Sequence, residues 1–161
     1  MRKTFALVTI AAAVALAGCG KKDQKVYTDD KGNSVAVSNV GDHMTITGNN
    51  GEKVEFGTGS NAKMPDYLPL YPGAAVTTSL TGQGKDGSGG MVAFHVAAAP
   101  ADIIAFYKQK AGAAGMTDAL NMQTGNSMTY MASNDKEKKS LSVSATKGAD
   151  GTDAQITWGM K

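Results

Sequence analysis

Residues 91–116, "MVAFHVAAAPADIIAFYKQKAGAAGM", contain the change of period on which the fold turns. In the first six, Val92, Phe94 and Val96 alternate with Met91, Ala93 and His95, the pattern of a strand with one buried face. After Pro100 the apolar spacing becomes three and four, and Ile103, Phe106, Tyr107, Ala111 and Ala114 fall along one helical stripe. Pro100 suits a first helical turn, where the missing amide has no partner to lose. Gly115 is placed to end the helix in a left-handed conformation. The stretch therefore predicts a strand followed at once by a helix over residues 100–114.

Alternation resumes beyond the helix. Leu120 and Met122, then Met128, Tyr130 and Ala132, then Leu141, Val143 and Ala145, and finally Ile156, Trp158 and Met160 form four strand patterns, with the polar turns "NDKEKK" (134–139) and "KGADGTD" (147–153) among them. Upstream, "AVTTSL" (75–80) reads as another strand, with "TGQGKDGSGG" (81–90) as a flexible loop. The order is ββαββββ, which predicts an α+β fold over residues 74–161, one helix packed on an antiparallel sheet in two layers. Residues 59–73 carry Pro65, Pro69 and Pro72 among Tyr67, Leu68, Leu70 and Tyr71. Proline at that density excludes a helix or central strand, and the large apolar neighbours make this a connector that docks. Before it, Val35 and Val37, Met44 and Ile46, and Val54 and Phe56 alternate around "DDKGN" and "GNNGE", predicting a small β-meander over 26–58 whose thin core leans on another part of the chain.

The chain begins Met-Arg-Lys and continues with the uncharged run "TFALVTIAAAVALA" (4–17), the layout of a secretory signal. Leu16, Ala17, Gly18 and Cys19 resemble the lipobox of bacterial lipoproteins. That resemblance implies cleavage of residues 1–18, diacylglycerol on the sulfur of Cys19, a further acyl chain such as palmitate on its amine, and a lipidated tether over 19–25. Two or more acyl chains make anchoring stable where one would be marginal. Gly20 stands where Asp marks retention at the inner membrane, so the resemblance implies the outer membrane, facing the periplasm.

A second resemblance covers roughly residues 65–120. Tyr71, Pro72, Gly73 and Ala74, then Phe94, then Phe106, Tyr107, Ala114 and Gly115 are similar to a pattern of bacterial envelope lipoproteins, with a Tyr-Pro-Gly-Ala strand start and a Phe-Tyr helix ending in Ala-Gly. Met116 stands where that group more often has Trp, and Ala111 where leucine is usual. The resemblance implies a fold and no particular activity.

Without residues 1–18 the chain keeps 143 residues, with fourteen basic and fourteen acidic side chains, and no arginine remains. A neutral chain without arginine lacks the basic footprint of a nucleic-acid binder. Cys19 is the single cysteine, so no disulfide staples the fold. Gly82 to Gly87 spell G-x-G-x-x-G, but a strand rather than a helix follows, so no helix N-terminus stands ready for a pyrophosphate. The eight methionines left without residues 1–18, with His43 and His95, raise a copper site, since thioethers and imidazole suit that metal. Their spacing shows no ligand cluster, and methionine as core filler explains them. No nucleophile, base and carboxylate stand in a catalytic pattern. The expectation is a non-enzymatic lipoprotein of the cell envelope without a cofactor. Its expected partners are the membrane, through the lipid, and another envelope protein, met on the sheet face away from the helix or at the meander edge. The alternative is a small-ligand or copper-binding lipoprotein using His95 or His43.

Overall fold

The computed structural model describes residues 23–59 and 62–161. Leu16, Ala17, Gly18 and Cys19 lie outside the described residues. The strands are β1 (Asp23–Thr28), β2 (Ser34–Val40), β3 (His43–Gly48), β4 (Lys53–Gly57), β5 (Ala75–Gly84) and β6 (Gly87–Val96), then β7 (Thr117–Thr124), β8 (Ser127–Asn134), β9 (Lys139–Lys147) and β10 (Thr152–Met160). One helix, α1 (Pro100–Ala113), separates β6 from β7.

The expected fold class, an α+β two-layer domain in the order ββαββββ preceded by a small β-meander, is corrected. Among the described residues all ten strands form one antiparallel sheet in the order β1-β2-β3-β4-β5-β6-β10-β9-β8-β7, and the fold is mostly β with a single short helix. The join is β4 with β5, in the register Phe56↔Leu80 and Val54↔Gly82. Alternation marks each strand but not its neighbour, and here the connector brings the chain back beside the meander. The first strand also starts at Asp23, inside the stretch expected to be tether.

A second correction concerns residues 81–90. Backbone pairing runs through Gly82↔Gly89, Gln83↔Ser88 and Gly84↔Gly87, so only Lys85 and Asp86 turn and there is no flexible loop. Glycine disfavours strands by entropy, yet it suits places where another group lies close. A Cβ on Gly90 would stand 2.6 Å from the Leu80 carbonyl oxygen and overlap the Trp158 ring, so this strand has no side chain where the indole lies across it.

Helix α1 packs on β8 and β9, with a smaller contact to β7. Its buried residues are Ile103, Ile104, Tyr107 and Ala111. They meet Val92, Phe94, Tyr130, Leu141, Val143 and Ile156 in one core, where burying each large apolar side chain contributes about 1.5–3 kcal/mol. The helix ends as its sequence requires. The Met116 amide donates to the Ala111 carbonyl at 2.9 Å and the Gly115 amide to that of Gly112 at 3.0 Å, with Gly115 at φ +70°. This paired closure favours glycine there, and the buried Met116 side chain joins the core just beyond it.

The connector belongs to the core. Leu68 is fully buried, and Met64, Tyr67, Leu70 and Tyr71 pack against the same cluster. Tyr71 meets the edge of Phe106 at 5.1 Å between ring centres, and Phe106 meets Tyr107 at 5.0 Å. Helix and connector thus share one face of the sheet.

Candidate functional site

The cross-strand register shows which way each side chain of the sheet points, because partners lie on the same face. On β6 and β10, Val92, Phe94, Ala154 and Ile156 are buried towards the helix. Met91 therefore points the other way, and so, through successive pairs, do Leu80, Phe56, Met44 and, two residues along, Val54 and Ile46. The same parity carries Val37, Val35 and Tyr27 to that face.

The apolar surface of the sheet thus changes sides. In β6 to β10 most of it faces the helix, and the outer face of β9 and β10 is polar, with Asp153, Gln155 and Thr157 on β10 and Ser142, Ser144 and Thr146 on β9, while Leu120, Met122 and Met131 form a smaller exposed apolar group on the outer face of β7 and β8. In β1 to β5 most apolar residues occupy the outer face, and the helix-side face carries His43, Thr45, Lys53 and Glu55 together with the exposed Val26 and Val40. Nothing in the described residues covers the outer apolar face. Tyr27 is 53% exposed, Val35 38% and Phe56 36%, with Val37, Met44, Ile46, Val54, Leu80 and Met91 half-buried among them. A contiguous apolar patch of this kind on a polar sheet marks a contact surface.

A groove lies on the other face, between the start of the connector and strands β4, β5, β6 and β10. Its volume is about 310 Å³, and Met64, Tyr67, Trp158 and Met160 line it on one side. Glu55 stands at its rim between Lys53, 2.5 Å from Oε1, and Lys63, 2.9 Å from Oε2. The hydrogen bond from Lys53, and next that from Lys63, hold the Glu55 carboxyl below its ordinary range. The Lys139 ammonium sits over the Tyr67 ring at 5.0 Å. These residues are distant in sequence and were not legible as a group. The only hint was the aromatic content of the connector.

The two histidines stand apart. His95 points to the outer face at the end of β6, with Nδ1 2.9 Å from Asp153 Oδ1 and Nε2 3.9 Å from Asp150 Oδ1. The Asp153 hydrogen bond is the main cause that raises its pKa above the usual imidazole value. With a carboxylate against each nitrogen, the ring forms an ion pair when protonated and does not present a free base. His43 lies on the helix-side face against Gly57, where a Cβ would stand 2.5 Å from its Nδ1. Ser79 beside it donates its hydroxyl to the Gly57 carbonyl at 3.0 Å. The sheet therefore separates the two imidazoles, and among the described residues no three His, Cys, Asp or Glu side chains converge as metal ligands. Met128 and Met131 likewise point to opposite faces of β8, as their spacing required.

At the far edge Tyr130 donates its hydroxyl to Asp118 Oδ1 at 2.7 Å, and Lys108 of α1 reaches Asp118 Oδ2 at 2.6 Å. The Lys108 bond, then the tyrosine bond, lower the Asp118 pKa. This is a clasp between helix and sheet rather than a reactive pair.

No curated protein and no solved structure matches the chain. The model of a START domain-like family matches residues 76–154, from β5 through α1 into β10. The match spans just under half of the chain and leaves the meander and the connector outside it. The segment that carries the helix is therefore similar to a START domain-like family, a similarity compatible with a binding module.

Proposed function

We propose that the chain is a lipid-anchored module of the bacterial cell envelope, held at the outer membrane on the periplasmic side, that binds an envelope component and catalyses no reaction. The observation that carries this reading is the uncovered apolar face of β1 to β5 with Met91 of β6. A chain that leaves such a surface open loses solubility unless something meets it. The lipobox resemblance at Leu16 to Cys19 supplies the anchor, and the match over residues 76–154 accords with binding.

Intact mass of the membrane-extracted chain beside a Cys19→Ala variant tests the anchor. The expected result is a chain beginning at Cys19 with added acyl mass, and a Cys19→Ala chain without it. A photo-crosslinking residue at position 56 tests the face, and capture of an envelope component, lipid or protein, that is absent at position 157 is expected. An unacylated soluble chain, or equal capture at both positions, would refute the proposal.

The groove favours a second reading, in which a small ligand with an apolar body lies between Tyr67 and Trp158 and carries a polar end towards Glu55 and its two lysines. Quenching or a shift of Trp158 fluorescence by an extract of envelope small molecules checks it, and a silent titration rules it out. Elemental analysis of the dialysed protein checks the copper variant of this reading.

A further inference from the structure

We propose that the partner of the apolar face is the bilayer itself, so that the sheet rests with its β1 to β5 half flat on the membrane holding the acyl chains and turns its helix and groove to the periplasm. The inference rests on the anchoring of Cys19 proposed above.

The place of the anchor selects this occupant. Cys19 precedes Asp23, the first residue of β1, by four positions, which span at most about 14 Å of extended chain. The strand so tied is the edge of the apolar half. The polar outer face of β9 and β10 begins six strand spacings away, each about 4.8 Å. The half of the sheet with the larger exposed apolar surface is therefore the half the tether keeps at the membrane, and the smaller group of Leu120, Met122 and Met131 lies towards the opposite edge.

Charge agrees with this placement. Lys25 shares the apolar face through its pairing with Val37, and Lys21 and Lys22 lie in the tether. Cations within a Debye length of the surface are attracted to anionic headgroups. Glu55 is on the opposite face, and Asp29, Asp30, Asp42 and Glu52 sit in the turns at the strand ends. Tyr27 adds an aromatic ring with a polar tip of the kind that settles at headgroup level. The alternative occupants of the face, a second copy or a protein partner, have no such tie to one end of the sheet.

Acylation consumes the only native thiol, so new cysteines can be labelled singly. Val37→Cys and Val54→Cys place a nitroxide on the apolar face, and Thr45→Cys places one on the other face of the same meander. Met91→Cys substitutes for either valine variant that fails to fold, as judged by Trp158 fluorescence. The acylated full-length mature chain is incorporated into vesicles of phosphatidylethanolamine and phosphatidylglycerol. Labels at 37 and 54 are expected to collide several-fold more with oxygen relative to a water-soluble nickel chelate than the label at 45 does. Equal nickel access at all three positions in an acylated chain overturns the inference and leaves the anchor standing. Spin–spin broadening at 37 or 54 also overturns it and assigns the face to a second copy. An intact mass without acyl chains overturns the anchor, and the inference with it.

Discussion

Replacing Gly90 by alanine tests the packing of the sheet at its tightest point. A Cβ there would stand 2.6 Å from the Leu80 carbonyl oxygen while overlapping Cζ2 of Trp158. The indole tip can swing by some tenths of an ångström. The carbonyl cannot move without disturbing the β5–β6 ladder. Overpacking of this kind costs about 1–3 kcal/mol. Gly112 provides the opposite case, since it lies in α1 with nothing within 4 Å of a Cβ, and alanine is better in a helix by about 0.5–1 kcal/mol. The same substitution is thus expected to destabilise at one position and stabilise at the other. With a urea slope of about 2 kcal/mol per molar, the two midpoints should separate by roughly 1–2 M. Equilibrium unfolding followed by far-UV circular dichroism measures this independently of changes in the Trp158 environment. A Gly90→Ala midpoint at or above that of the parent, with an unchanged slope, would show that the indole does not rest on this strand.

Leu68→Ala should cost about 2–5 kcal/mol by the same assay, because the side chain is fully buried although it lies in the connector; a loss under 1 kcal/mol would mean that the connector is only loosely attached. His95 should titrate above 6.5 in an NMR experiment on its Cε1 proton and move back towards 6.5 in Asp153→Asn. Since its pKa is raised in the folded state, the pairing stabilises fully below 6.5 and is lost as pH rises through the folded value; an unchanged midpoint in Asp153→Asn would remove Asp153 as the cause. Asp118 has the opposite sign. Its depressed pKa gives stability present above 3.8 and lost as acid protonates it, so Asp118→Asn should flatten the acid limb of a pH–stability curve, and an identical limb would count against the Lys108 and Tyr130 clasp.

Much of the local structure was legible in the chain, because periods of two and 3.6 report which residues share a face. The helix, its proline start and its glycine stop are where residues 100–115 place them. Ile104 was missed because it lies beside the stripe traced from Ile103, yet it is buried in the same core. The pairing of β4 with β5 was not legible, since it joins strands across the connector and depends on where Leu68 and Tyr71 dock. Residues 81–90 read as a loop because glycine has little strand preference, yet their pairing uses backbone groups that every glycine has. The change of apolar face escaped for a related reason. Val35, Val37, Met44, Ile46, Val54 and Phe56 announce one face apiece, but alternation is identical whether that face meets the core or solvent. Of the candidate residues, His43 and His95 proved to be on opposite faces, and Tyr67, Glu55 and Trp158 gather in a groove that no local spacing encodes.

The strand order has a kinetic consequence. Every ladder but two joins strands adjacent in the chain through a short turn: β4–β5 closes across the connector, and β6–β10 joins residues 87–96 to 152–160 across the helix and three intervening strands. Closing that last loop carries the largest entropy cost in the molecule, so the seam between the two meanders should be the late event in folding. Because β10 follows the other nine described strands, the seam cannot close before residues 152–160 have been made, and until then β6 presents an open edge bearing Val92, Phe94 and Val96. A chain stopped after Lys147 would keep most of its hairpins and still fail to hold its core, leaving β6 and β9 as two bare edges ready to pair with other chains.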